Sequence, residues 1–454
     1  MKKGKVSFRV IRALLVVMTL VGVAFGVLYT GASHAAYAAG SYTPHPVVVQ
    51  PIYQQVGSVP NAPVFSCQQT NPAGCYTPQQ IRAAYDIQPL LDKGITGAGK
   101  TIVIIDAFQS PTIKNDLTTF DKLFGIPDPT LNIIAPDGLT SFDPTSADEV
   151  GWSGEITLDV EWAHAVAPGA TIDLVLSKSD MDADILSATK YAIDKNLGDV
   201  ISQSFGEAEQ CMDPNLMKQQ HLLFAEATAK HITLFASSGD NGAAQPTCDG
   251  KSYFLAASTP ASDPFVTGVG GTRLYADGLT GAYNNETVWN ESGIGASGGG
   301  FSVVYKAPFY QLGIPDIAAN NNRRGVPDVA YNAAVNGGVL AVWSSSGRGQ
   351  NLVFRFGGTS AGSPQWAAIT ALADQYTGHR LGFLNVAFYA ISKVGFLYSK
   401  TFHDITVGNN SFAGVTGYNA HAGWDATTGV GSPKAKNLVS LAGQFSHSND
   451  GNNL

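Results

Sequence analysis

Along the middle of the chain, short runs of β-branched and aliphatic residues alternate with longer helix-like segments of mixed polarity. The runs read KTIVIIDAF, TIDLVLS, DVISQSF, HITLFASSG and PFVTGVGGT. Such runs predict strands, and strands alternating with helices imply βαβ units. The expected architecture is α/β, a doubly wound, mostly parallel sheet flanked by helices. Ligand chemistry in such folds gathers at the carboxyl ends of the strands. There this chain places Asp106 after IVII, Ser204 after VISQ and Asp240 in FASSGDNG.

The ends of the chain read differently. Residues 1–39 hold five basic residues, an apolar stretch from Ala13 to Tyr29, and small residues that offer cleavage points near Ala35 and Ala38. This predicts an export signal; left uncleaved, the apolar stretch would be a short membrane anchor. Gly40 to about Pro63 is rich in proline, valine and polar residues without helical period, so residues 40–75 are expected to be a leader or linker. The body is expected over 76–445, beginning near CYTPQQIRAAYDI, with 446–454 as a disordered tail. No internal repeat or second core breaks it.

Composition narrows the function classes. The 454 residues are 44% hydrophobic and 14% charged, which suits a folded chain with a sizeable core. The formal charge is −8 and no lysine or arginine run lies beyond the N-terminus, so nucleic acid is excluded as a partner. Export places the four cysteines in an oxidising compartment, and their spacing is too loose for a zinc site. Two local disulfides, Cys67–Cys75 and Cys211–Cys248, are expected. A secreted monomer is the default.

Candidate chemistry begins with FRFGGTSAGSPQWAAI, where Ser360 follows two glycines and a threonine. A serine held by a glycine-rich turn at the start of a helix has an exposed hydroxyl and an unpaired backbone N–H, which suits a nucleophile; an N-cap serine on a core helix would look the same. None of the nine histidines has a triad-like context, and His164 in EWAHAVAPGA reads as a structural residue at a helix end. In GEITLDVEWAHAVAPG, Glu155 and Asp159 stand four apart on one helical face. The neighbours Ile156, Leu158, Val160, Trp162, Ala163 and Val166 leave too little polar surface for an exposed helix, with Glu161 expected at the surface or in a salt bridge. Two carboxylates packed together titrate as a coupled pair and can share a proton. Asp240, flanked by glycine after a strand, can point into a cleft or form a turn.

Together GEITLDVEW, SSGDNG and GGTSAGSPQWA resemble the sedolisin family, serine-carboxyl peptidases with a subtilisin-like fold. The likeness continues through DVISQSFGE, PASDPFVTGVGGT, SGGGFS and RGVPDVAYNA to GWDATTGVGSP, from about Tyr76 to Leu441. It implies one catalytic domain of a secreted, acid-acting endopeptidase that cuts polypeptides through an acyl-enzyme. Ser360 would be the nucleophile, Glu155 its general base, Asp159 the carboxylate that orients and shares a proton with Glu155, and Asp240 the oxyanion-hole acid.

The resemblance also implies one calcium ion, held by the side chains of Asp404 and Asp425 and the carbonyls of Ile405, His421 and Gly423. His421 stands where the family often has glycine. From the residues alone, that glycine-rich segment suits an ordinary turn-rich loop as well as a calcium loop. In a site of this type Asp159 takes the place of the subtilisin strand-end aspartate, which leaves Asp106 as a structural or secondary acid. Relatives carry a long folded pro-region, for which residues 40–75 are too few. The alternative is an exported, calcium-stabilised binding or structural protein with a degenerate peptidase fold; loss of any of the four catalytic candidates would mark it.

Overall fold

The computed structural model describes residues 47, 51–59, 65–69 and 71–450. The expected signal, 1–39, lies outside the described residues. The chain divides into two units, Pro44–Ala442 and a smaller one of Met1–Thr43 with Gly443–Leu454; the sheets and the candidate site belong to the first.

The main strands are β1 (Ile52–Ser58), β2 (Cys75–Tyr76), β3 (Thr101–Ala107), β4 (Leu131–Ile134), β5 (Thr171–Ser177), β6 (Val200–Gln203), β7 (Thr233–Ser237), β8 (Thr267–Ala276), β9 (Tyr283–Val288), β10 (Val329–Asn332), β11 (Gly338–Val342) and β12 (Leu352–Gly357). The main helices are α1 (Ile113–Phe124), α2 (Ala147–Val166), α3 (Asp182–Asp194), α4 (Pro214–Ala229), α5 (Gly362–Thr377) and α6 (Ala435–Asp450). An eight-stranded sheet runs β9-β8-β7-β6-β3-β5-β4, with β10 also paired to β8. Every pairing in it is parallel except β9 on β8, the doubly wound α/β sheet expected from the sequence.

Strand β3 shows why its run is apolar throughout. Ile102 and Ile104 pack into one core with residues of α2 and α5, while Val103, Ile105 and Ala107 pack into a second with α3 and α4. A strand covered on both faces cannot alternate polar and apolar positions.

Helix α2 is the centre of the first core. Ser146 caps it, its hydroxyl accepting from Glu149 N at 3.3 Å, and every residue from Trp152 to Val166 is buried. Glu161, expected at the surface, is buried too, because a second sheet covers that side of the helix. Its Oε2 accepts from Val342 N at 2.9 Å, and Trp162 Nε1 donates to Leu340 O at 2.9 Å. His164 Nε2 lies 3.1 Å from Asp121 Oδ1, both buried, a structural pairing away from Glu155.

That second sheet has the order β1-β12-β11-β2. The stretch expected as leader or linker therefore supplies a strand, β1, antiparallel to β12 with Ile52 opposite Gly357. In IYQQVGS only Val56 is fully buried. Backbone pairing holds this edge strand, and composition does not reveal backbone pairing. At the other end α6 runs to Asp450, into the expected tail; 451–454 lie outside the described residues. The disulfides are Cys67–Cys75 and Cys211–Cys248. Among the described residues no helix is long and apolar enough to cross a membrane.

Candidate active site

Three segments meet at Ser360. Strand β12 ends at Gly357, Gly358 turns the chain at φ +105°, and one 3-10 turn over Thr359–Ala361 delivers it to α5. A Cβ at Gly358 would lie 2.5 Å from Asp240 Oδ2, so both the conformation and the space demand glycine. Ser360 is 9% exposed. Its Oγ lies 3.4 Å from the carbonyl oxygen of Ser204, just past the end of β6, and Ser204 Oγ donates to Ser360 O at 3.3 Å.

Asp240 is hinged to the same turn. Its Oδ1 accepts from Thr359 N at 2.7 Å and Thr359 Oγ1 at 2.8 Å. Thr359 Oγ1 in turn accepts from Gly239 N at 3.1 Å. Burial raises the Asp240 carboxyl above its ordinary range, and the two bonds from Thr359 offset part of that rise.

Opposite stands a trio of carboxyls. Glu155 and Asp159 are one turn apart on α2, and Asp106 is near the carboxyl end of β3, on which α2 packs; all three are fully buried. Burial raises Glu155 well above the carboxylate range, and the charges of Asp159 and Asp240 add to this, while the Ser360 hydroxyl favours its ionised form. Asp159 is raised by burial and by Asp106, opposed by the Ser204 hydroxyl. Asp106 is raised by burial and by Glu155, with nothing to oppose it. None of the six oxygens of the trio has a well-formed hydrogen bond, and the Ser360 hydroxyl, though near enough to Glu155 to stabilise its charge, makes its formed bond to Ser204. Each of the three acids thus opposes the ionisation of another, and burial opposes all three.

The structure thus brings Ser360, Glu155, Asp159 and Asp240 to one place, and adds Asp106 and Ser204. Both had been visible as strand-end residues. Their part here comes from packing α2 across the sheet, a contact that spacing along the chain does not encode.

The segment expected to hold calcium lies apart from these groups. Both carboxylate oxygens of Asp404 accept from Gly423 N, at 3.2 and 3.1 Å, and Asp425 Oδ2 accepts from His421 N at 3.1 Å. Asp425 Oδ1 takes the backbone N–H groups of Thr427 and Thr428, both at 2.9 Å. Burial raises the Tyr398 hydroxyl pKa, and Asp404 and Asp425 are both near enough to raise it further. No group of three or more His, Cys, Asp or Glu side chains is poised for a metal among the described residues. A cation there would need backbone carbonyls as well, for which the resemblance names those of Ile405, His421 and Gly423. Such an all-oxygen donor set fits calcium.

The sequence profile of the subtilase family matches residues 151–384. Kumamolisin from Bacillus sp. (strain MN-32) is 34% identical over 366 residues, 79% of this chain and 62% of that protein. Sedolisin from Pseudomonas sp. (strain 101) is 32% identical over 387 residues, covering 76% of this chain and 63% of its own length. The tripeptidyl-peptidase sed4 of Aspergillus fumigatus is 28% identical, covering 71% of this chain and 60% of that protein. The chain therefore spans about three fifths of the length of these curated relatives. Among solved structures, Pseudomonas sedolisin, a serine-carboxyl proteinase complexed with pseudo-iodotyrostatin, superposes with a TM-score of 0.67 at 29% identity, over 81% of this chain and 97% of that one.

Proposed function

This chain belongs to the subtilase family as a sedolisin-like member, and from that premise we propose that it is a secreted, acid-acting serine-carboxyl endopeptidase. The observation that carries the reading is the Ser360 hydroxyl set beside a buried carboxyl, Glu155, that shares protons with Asp159 and Asp106. Burial and crowding keep part of the trio protonated. Asp106, with no group favouring its ionised form, is where the proton stays. The Ser360 hydroxyl draws the negative charge to Glu155.

The chemistry follows. Ser360 Oγ attacks the scissile carbonyl carbon while Glu155 takes its proton, and the C–O bond forms as the carbonyl π pair moves onto oxygen. Asp240, whose carboxyl burial raises above its ordinary range, donates a hydrogen bond to that oxyanion at acid pH. Such a donor lowers the barrier by about 2.7–4 kcal/mol. Collapse breaks the C–N bond, and the leaving amine takes the proton from Glu155. Water then repeats the attack on the acyl-enzyme, with Glu155 again the base. Ionising Asp240 removes the oxyanion donor, so activity is lost as pH rises.

Calcium, when bound by Asp404 and Asp425, would supply a structural tie between the strand-end segment at 404 and the loop at 421–425. Chelation is therefore expected to lower the melting temperature, with calcium restoring it.

The deciding experiment is digestion of a denatured protein across pH 3–8 with the purified chain and Ser360→Ala in parallel. Acid-limited cleavage that Ser360→Ala abolishes supports the reading; full activity at pH 8 with none at pH 4 sinks it. Mass spectrometry of the products separates internal cuts from serial release of tripeptides.

A further inference from the structure

We propose that β1 is a positioning element of the catalytic site, in which Pro51 and Ile52 together set the separation between the helix carrying Glu155 and the turn carrying Ser360. The inference rests on Ser360 and Glu155 being the reacting pair. Gly154, the residue before Glu155, has Pro51 against its backbone: a Cβ there would lie 3.3 Å from Pro51 Cγ and 3.1 Å from Trp343 Cζ2. The next residue, Ile52, pairs with Gly357, three residues ahead of Ser360. Adjacent residues thus bear on both halves of the site. Consecutive Cα atoms are held about 3.8 Å apart across a trans peptide, and proline fixes its own φ, so the bridge is short and stiff.

The surroundings tighten it. Ile52 packs on the cluster of Trp289, Ala333 and Ala334, and Gly358 N donates to Ala333 O at 2.7 Å, which links that cluster to the turn before Ser360. Tyr53 stands edge-on to Trp343, ring centroids 4.9 Å apart, and Trp343 Nε1 donates to Ser153 Oγ at 3.1 Å on α2. At its far end β1 is clamped by Ser66 Oγ on Val56 O and by Val59 N on Asn351 O, both at 3.0 Å. Without β1, the strand that delivers Ser360 would be an open sheet edge.

The test uses the full chain carrying Pro51→Gly, Ile52→Gly, Ile52→Ala or Ile52→Val, with Gln54→Ala on the exposed face as control, and measures kcat, KM and melting temperature at acid pH. A misplacement near 1 Å costs on the order of 100-fold, so kcat is expected to fall about 10- to 100-fold in the glycine variants. KM should stay within about twofold, and Ile52→Val should recover most of kcat. Should a glycine variant fail to fold, Ile52→Ala carries the same test with a smaller drop. A lower melting temperature with unchanged kcat at a permissive temperature overturns the proposal, since that is what a passive strand would give. Higher kcat, or competitive inhibition of the intact chain by a synthetic peptide spanning Pro51–Val59, also overturns it, by making the segment inhibitory. Absence of acid proteolysis in the unsubstituted chain instead strikes at the peptidase reading itself.

Discussion

Asp328 and Asp106 are each 0% exposed, yet one carboxyl is ringed by hydrogen-bond donors and the other has none. Asp328 Oδ1 accepts from Arg324 Nη1 and Tyr389 OH, both at 2.7 Å, and its Oδ2 from Arg324 Nη2 at 2.5 Å and Gly268 N at 2.8 Å. Burial alone would lower Arg324, but Asp328 more than reverses this, so the guanidinium keeps its charge in the core. Asp106, Glu155 and Asp159 are as deeply buried and have no cation beside them, and burial pushes all three up. Burial removes water from both places equally. Partners decide which carboxyl is locked as structure and which remains available for the proton transfer proposed above.

The strongest way to break this comparison is Glu155→Gln, which keeps the shape and removes the proposed base. Losing one member of a catalytic unit costs about 10⁴-fold or more in kcat. The fold should survive or gain, with a melting temperature unchanged or higher above pH 6, since the variant deletes a carboxyl that burial opposes ionising. Steady-state kinetics with calorimetry decides it; near-normal turnover would mean the base is another residue.

Arg324→Met should do the reverse. Stranding Asp328 without its cation is expected to cost about 3–5 kcal/mol of stability by denaturant unfolding, with kcat per folded molecule held within about twofold. Adding Asp328→Leu should recover much of the loss. If Arg324→Met leaves stability intact, the pair does not have the structural role assigned to it.

The two regions also differ in how far the sequence reveals them. Glu155 and Asp159 were legible because helical spacing puts both on one face, and Ser360 and Asp240 because glycine-rich turns mark them. The alternation of strands and helices gave the main sheet, and the local cysteine spacing gave both disulfides. Asp106 was read as a structural or secondary acid because the resemblance gives its strand-end role to Asp159, and its neighbours in space lie some fifty residues further along the chain. Glu161 was misplaced because the sheet that covers it is built from strands far away in sequence, β11 among them. β1 escaped notice since an edge strand needs backbone pairing and little apolar content.

Asp374 falls between the two cases and sharpens the comparison at its smallest effect. Its Oδ1 accepts from Leu381 N at 2.8 Å, while its Oδ2 has no partner. Burial pushes this half-satisfied carboxyl up to about 7, and burial raises Asp180 to about 6. A carboxyl raised in the folded state binds its proton more tightly there than in the unfolded chain. Its contribution is complete below the unfolded value near 4, and it is lost as pH climbs through 6 and 7, where the unfolded chain has released a proton that the fold retains. For Asp374 the slope in that window is about 1.4 kcal/mol per pH unit, with a smaller share from Asp180. Melting temperature should therefore decline steadily from pH 4 to 7, and Asp374→Asn should flatten the decline. A stability that rises across this window would mean that unpartnered acids such as Asp374 do not dominate the proton balance of the fold.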